Sequence, residues 1–269
     1  MKGKYGEDVN REFLFKFLDS NAGKSKPFFA MWTPNLCHAP FSPTPDDPEF
    51  ASWQPKGRNG ANSDTSYFRS MVKYFDKEVG MLISKLQSKS SLSNTIVLIA
   101  IGDNGTDGRI HSRFQGKSYV GGKGHTYYRG IHVPFIAYCP GKIAPGVNAN
   151  LIDFTDFMPT IADLLKMNVP ASYGTMDGLS FAPQLLGNPY SARTSCFGYY
   201  DVNRWGPDNI RPAIYAFDNT YKLYEDSSKR FFNYITDKNE SHPVKPAKMK
   251  TEQKKADSIL DGVIHHYIQ

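Results

Sequence analysis

The chain has 269 residues, enough for one large domain, or a large one with a small companion, around a sizeable core. With 40% hydrophobic and 22% charged residues it is composed like an ordinary folded protein. That excludes a disordered or fibrous chain, and no apolar run reaches the about 18 residues of a membrane span. The formal charge of +6 suits anionic partners such as acidic sugars or small oxyanions. Its basic residues are not interleaved with aromatics as in a nucleic-acid module, so nucleic acid is not an expected partner.

The first residues, MKGKYGEDVN, contain no apolar core segment, so no signal peptide is expected on this chain. In YGEDVNREFLFKFLDSN, Val9, Phe13, Leu14, Phe15 and Leu18 recur at near-helical spacing and predict an amphipathic helix. The short apolar run KPFFAMWT, 26–33, predicts a buried strand. PNLCHAPFSPTPDDPEF is dense in proline and must be loop, because proline is excluded from helix interiors and sheet ladders alike. Ser63 or Asp64 is a plausible cap for a long helix in which Phe68, Met71, Val72, Phe75, Val79, Leu82 and Leu86 recur at three and four. TIVLIAI, wholly apolar, is the next strand, and IHVPFIAYCPG another. A helix returning to a wholly apolar strand implies an α/β fold with a mostly parallel central sheet sandwiched by helices. DFTDFMPTIADLLKM predicts a further helix.

Past Gly187-Asn188-Pro189 the pattern changes. TSCFGYYD, RPAIYAFDN, YKLYED and RFFNYIT are short aromatic runs divided by turn signals such as Asp218-Asn219, which predicts an antiparallel meander. A Lys-rich terminal helix follows, whose lysines are expected on a solvated face. The expected division is a 1–190 α/β domain and a 191–269 α+β subdomain, a small antiparallel sheet plus helix. The three cysteines, Cys37, Cys139 and Cys196, form no zinc or CxxC pattern.

Three stretches carry chemistry. At the end of the strand TIVLIAI stand Gly102, Asp103, Asn104 and Gly105. Asp and Asn offer the hard oxygens that Ca²⁺ or Mg²⁺ prefers, and flanking glycines permit the sharp bend that would let them converge. The same four residues also make an ordinary turn capping a strand. In GGKGHTYYRG, glycines around Lys123 allow close approach of an oxyanion, with His125 and Arg129 nearby, or form a flexible basic loop. His38, in a proline-fixed loop after 26–33, can protonate a leaving group or hold an anion, or is simply an exposed histidine.

In this order the stretches resemble the sulfatases of the alkaline-phosphatase-like superfamily. KPFFAMWTPNLCHAPF resembles the family's strand and Pro-His-x-Pro loop, and YFRSMVKYFDKEVGMLISKLQ its D-x-x-V-G helix. TIVLIAIGDNG matches its Asp-Asn-Gly strand end. GGKGHTYYRGIHVPFIAYCPGKI resembles its lysine loop with the following VP strand, and DFTDFMPTIADLLKM its D-x-x-P-T helix. KRFFNYITDKNES is similar to its C-terminal sheet. The resemblance implies that Asp103 and Asn104 ligate a divalent cation, usually Ca²⁺, with Mg²⁺ the other choice. It implies that Lys123 binds the sulfate and that His38 is a second sulfate contact or the leaving-group acid. His125 and Arg129 become candidate substrate contacts.

The implied reaction is removal of O-sulfate from a sulfated carbohydrate or aryl ester by a formylglycine nucleophile, made from a Cys or Ser in a Cys/Ser-x-Pro/Ala-x-Arg signature. No Cys or Ser here carries that signature, and Asp46-Asp47 stands among prolines instead of at a strand end. The chain therefore resembles the C-terminal portion of a sulfatase, and residues 1–269 alone are expected to be inactive. Rival readings are a non-catalytic remnant with an anion-binding surface and a phosphoryl-transfer hydrolase of the same superfamily. Relatives are commonly exported. In the lysine loop the family's usual Thr, Glu and Gly are replaced by His125, Tyr128 and Arg129. Selectivity is expected from Tyr127, Tyr128, Arg129 and Trp205.

Overall fold

Two compact units divide the chain between them: Met1–Ile99, Asp107–Gly121 and Ile136–Pro140 form one, and Ala100–Thr106, Gly122–Phe135 and Gly141–Gln269 the other. The structure is a computed structural model that describes residues 4–54, 64–100, 102–201 and 212–268. Trp205, and the ends of two expected strands at Ile101 and Arg211, lie outside the described residues.

In the first unit, α1 (Gly6–Asn21) and α2 (Phe68–Gln87) occupy the two segments of helical periodicity. Asp64 caps the one 3₁₀ turn that leads into α2, accepting from the Ser66 amide at 2.8 Å. Leu14 and Leu18 of α1 pack with Leu86 of α2 and with Leu92, backed by Phe28, Trp32 and Val97. Each such fully buried side chain contributes roughly 1.5–3 kcal/mol. The buried line along α2 is Met71, Tyr74, Glu78 and Leu86, so a carboxylate sits in the middle of the packed face. Arg11 of α1 pairs with Glu78 and also with Asp8 at 3.0 Å, which offsets the cost of burying that charge. Val72, read as part of the apolar stripe, is 43% exposed, whereas Glu78 of the same helix is buried.

β1 (Val97–Ala100) follows α2. The hairpin of β2 (His111–Phe114) and β3 (Lys117–Val120) comes next, and β4 (Phe135–Tyr138) pairs with β1. The hairpin was not anticipated: β2 is exposed throughout and shows no apolar alternation. Its two-residue turn has positive φ at both Gln115 (49°) and Gly116 (76°). That conformation suits Asn at the first position far better than Gln. Gln115→Asn is expected to raise the unfolding free energy by about 0.5 kcal/mol in urea denaturation; an unchanged midpoint would count against this turn.

One expectation fails in this unit. Residues 26–33 form no strand, and Phe29 and Met31 are 57% and 78% exposed. A wholly apolar parallel strand takes its ladder from neighbours on both sides, and among the described residues none lies alongside this run. For the same reason a mostly parallel central sheet is not seen among the described residues; the helices are joined by small sheets, two of them antiparallel. Asp47 behaves as a loop residue, as expected. Its Oδ2 accepts from Thr44 N (2.7 Å), Thr44 Oγ1 (2.8 Å) and Ser70 Oγ (2.8 Å). Against the opposing effect of burial, these bonds hold its carboxyl below the usual range.

The second unit contains α3 (Tyr128–Ile131), α4 (Phe157–Leu164) and α5 (Ala182–Leu185). The four aromatic runs become β5 (Cys196–Tyr200), β6 (Ala213–Phe217), β7 (Tyr221–Tyr224) and β8 (Phe231–Asn233), an antiparallel sheet in chain order. Asp218 makes the expected turn, its carboxylate accepting from the Thr220 and Tyr221 amides at 2.7 and 2.6 Å. Helix α6 (Thr251–Ile268) covers one face of the sheet: Ala256, Leu260 and Ile264 meet Ala216, Leu223 and Phe231. Lys245, Lys248, Lys250, Lys254 and Lys255 are all exposed, a solvated face as expected. Tyr215, Tyr224 and Phe232 form a second cluster, joined by Ile131.

The D-x-x-P-T stretch has a structural explanation. Asp156 is 1% exposed and completes a capping box with Asp153. Its carboxylate accepts from Asp153 N (2.8 Å), Leu179 N (2.7 Å) and both Nε (3.0 Å) and Nη2 of Arg193. Thr160 donates to the Asp156 carbonyl at 2.6 Å and accepts from Phe181 N at 3.0 Å. These two polar side chains staple α4 to the segment leading into α5.

Candidate functional site

Asp103 stands exposed one residue past Gly102, and its Oδ1 accepts from Asn104 Nδ2 at 2.7 Å. The turn is bonded to the lysine loop through the backbone. Gly105 N donates to Gly130 O at 2.8 Å, and Lys123 N to Thr106 O at 2.9 Å. Within the loop, His125 N donates to Gly122 O at 3.0 Å and Gly130 N to Tyr127 O at 2.8 Å.

The glycines explain how two backbones come this close. A Cβ on Gly105 would strike the Arg129 carbonyl oxygen. One on Gly122 would lie 2.6 and 2.7 Å from the carbon and oxygen of the same carbonyl. One on Gly130 would strike the His125 carbonyl oxygen and lie 2.7 Å from that of Gly122. None of these three has positive φ. The bend that sequence reading assigned to Gly105 is therefore not its main reason; the absent side chain is. Gly124 is different, with φ of 83° and open space around it.

Lys123 and His125 are exposed on this scaffold, and Arg129 is half-buried. His125 stacks on Tyr127 with centroids 4.7 Å apart, and the Arg129 guanidinium lies 5.6 Å from the same ring. Arg129 Nε is buried without a hydrogen-bond partner. Tyr128 faces a different set of groups. It stacks on His132 at 4.6 Å, with the Lys238 ammonium 4.3 Å from its ring centroid. Burial, then the Lys238 charge, hold His132 below its usual pKa. So the segments carrying Asp103, Asn104, Lys123, His125 and Arg129 are joined within one unit. His38 belongs to the other. There its Nδ1 donates to the Ala39 carbonyl at 2.6 Å.

No thiol here is suited to nucleophilic attack. Cys139 is buried, and burial pushes Cys37 up to about 11 and Cys196 up to about 12, so both are protonated at neutral pH. Nor is a full metal site present: among the described residues no group of three or more His, Cys, Asp or Glu converges. Asp103 and Asn104 are of the right chemical kind for Ca²⁺, but two donors do not make the about 6–8 oxygens it takes. They do not hold the ion by themselves.

Sequence reading missed Lys222, Glu240 and Tyr224. Lys222 is fully buried in β7 and donates to the Thr126 carbonyl and to Glu240 at 3.1 Å. Nothing in YKLYED marks that lysine as inward-facing except its place between tyrosines in a strand.

The model of the family described as Sulfatase matches residues 3–167. The chain belongs to the sulfatase family. Human arylsulfatase A is 30% identical to this chain over 202 residues, covering 75% of the chain and 36% of the human protein. Canine N-acetylgalactosamine-6-sulfatase is 30% identical over 182 residues, covering 66% and 32%. The chain thus spans about a third of the length of these curated relatives. A solved sulfatase from Pseudoalteromonas sp. superposes with a TM-score of 0.69 at 23% identity, covering 96% of this chain and 52% of that one. A structure solved with its substrate D-glucosamine-2-N,6-O-disulfate gives 0.67 at 16%, covering 98% and 70%. The chain thus shares its fold with these solved structures, and its described residues hold sheets of two, two and four strands.

Proposed function

We propose that the whole protein hydrolyses sulfate esters and that these residues supply its cationic wall, its leaving-group acid and part of its metal shell. The observation that supports this most is the backbone junction between Gly105-Thr106 and Gly122–Gly130, which joins the hard oxygens of Asp103 and Asn104 to the segment of Lys123. Lys123 is a point charge suited to a sulfate oxygen. His38 is the second sulfate contact or the leaving-group acid, both of which call for a protonated imidazole nitrogen. His125 and Arg129, linked through Tyr127, are the substrate contacts. Asp103 and Asn104 join other ligands around the metal ion that the family generally uses, Ca²⁺ in this reading, with the formylglycine nucleophile also outside this chain's residues. A mostly parallel sheet completes the fold, with 191–269 as its small subdomain. Sulfated sugar or aryl sulfate is the substrate class, in line with the amino-sugar sulfatases among the relatives.

A polypeptide carrying these 269 residues together with a formylglycine segment is expected to release sulfate from an aryl sulfate in a Ca²⁺-dependent manner. Lys123→Ala is expected to lower kcat about 100-fold, the scale of losing one preorganised charge contact. Residues 1–269 alone are expected to give no turnover. Preferential release of phosphate from an aryl phosphate would favour the phosphoryl-transfer reading and overturn this one.

A further inference from the structure

The cluster of Tyr215, Tyr224 and Phe232 meets Ile131, at the end of the lysine loop. Lys222 belongs to the same part of the unit and is fully buried. Its ammonium lies 4.1 Å from the Tyr215 ring centroid and 4.7 Å from that of Tyr224. It donates to two acceptors: Glu240, itself 6% exposed, and the backbone carbonyl of Thr126. The Tyr224 hydroxyl donates to Glu240 and accepts from Thr126 Oγ1 at 2.8 Å. Thr126 is therefore held by both its main chain and its side chain.

Packing alone does not account for an ammonium at this point. Withdrawing a charge from water costs several kcal/mol, and an apolar residue of similar length fills such a space without that cost. Burial does push the Lys222 ammonium down, to about 8, against the pull of Glu240. What the charge adds is direction: a charge-assisted bond to one carbonyl, three residues from Lys123.

We propose that Lys222 is a positioning residue, whose bond to the Thr126 carbonyl, braced by Glu240 and Tyr224, fixes the 122–130 loop against the Asp103–Asn104 turn. One face of the loop is set by glycines that leave no room for side chains. The buried cation holds the same loop at the Thr126 carbonyl. What the loop is for rests on the sulfatase reading; the anchoring does not.

The test is backbone-amide exchange on the 269-residue chain at pH 7. Lys222→Met alone strands a buried Glu240 and is expected to lower protection throughout the C-terminal sheet. The deciding variant is Lys222→Met/Glu240→Gln, which removes both charges. The amides of β6, β7 and α6 should then return to wild-type protection, while those of Lys123, His125 and Gly105 stay about tenfold less protected. Recovery of the loop amides together with the sheet would make the pair purely structural and overturn the proposal. Should the double variant not fold, Tyr224→Phe decides. It keeps the ring and is expected to loosen the same loop amides about threefold; no change there would also overturn it. Sulfate release by a polypeptide that includes the formylglycine segment is scored separately. Its failure would refute the sulfatase reading and leave the exchange result standing.

Discussion

Asp156→Ala is expected to lower the unfolding free energy by about 3–5 kcal/mol, the range for breaking a buried ion pair from one side. The carboxylate serves the amides of Asp153 and Leu179 and two nitrogens of Arg193. Alanine leaves two amides without acceptors and a guanidinium with only 11% of its side chain exposed. Arg193 retains the Ser195 and Asp177 carbonyls, both at 3.3 Å, which are long and uncharged contacts. Urea denaturation followed by far-UV circular dichroism reads the effect as a lower midpoint at an unchanged slope. Arg193→Met is expected to cost a similar amount, and the double variant clearly less than the sum, because the second substitution removes the charge that the first one stranded. A loss under about 1 kcal/mol for Asp156→Ala would show that this hub does not hold α4.

Gly130→Ala is expected to cost about 3 kcal/mol, the upper end for overpacking. The new methyl would meet two carbonyl oxygens, those of His125 and Gly122, and both belong to backbone with no rotamer to change. Relief requires the loop to lift, which would break the bond from Gly105 N to Gly130 O. The melting temperature should fall and the Gly105 amide should exchange faster. Gly262→Ala is the control. That glycine lies inside α6 with nothing within 4 Å of an added Cβ, so alanine should stabilise by about 0.5–1 kcal/mol. The same substitution thus carries opposite signs at two glycines. Equal effects at both would remove the steric account of the junction.

Helices α1, α2, α4 and α6, strands β1 and β4 and the C-terminal meander were legible in the sequence. In each case apolar side chains recur at the period of the element that buries them, a local record of a local geometry. The family was legible in short motifs around Asp103, Asn104 and Lys123, and the Sulfatase match spans 3–167; the roles given to those residues belong to the proposal. Periodicity misled at 26–33, because an apolar run reports only that burial is available and the ladder must come from elsewhere. It was silent at the β2–β3 hairpin, whose exposed strands bury too little to leave a pattern.

By itself, then, the amino-acid order determined the long helices, the strands β1 and β4 and the C-terminal meander, that Asp103 and Asn104 sit beside a glycine turn, and to which family the chain belongs. Tertiary structure alone decided the partnerships. Lys222 meets a carbonyl 96 residues away, Asp156 meets an arginine 37 residues on, and Gly105 is glycine because another backbone lies against it. The physical reason is one of range. Hydrophobic patterning is written into neighbours a few positions apart, whereas the acceptor of a buried charge, or the atom that a missing side chain makes room for, is chosen only when distant segments have packed.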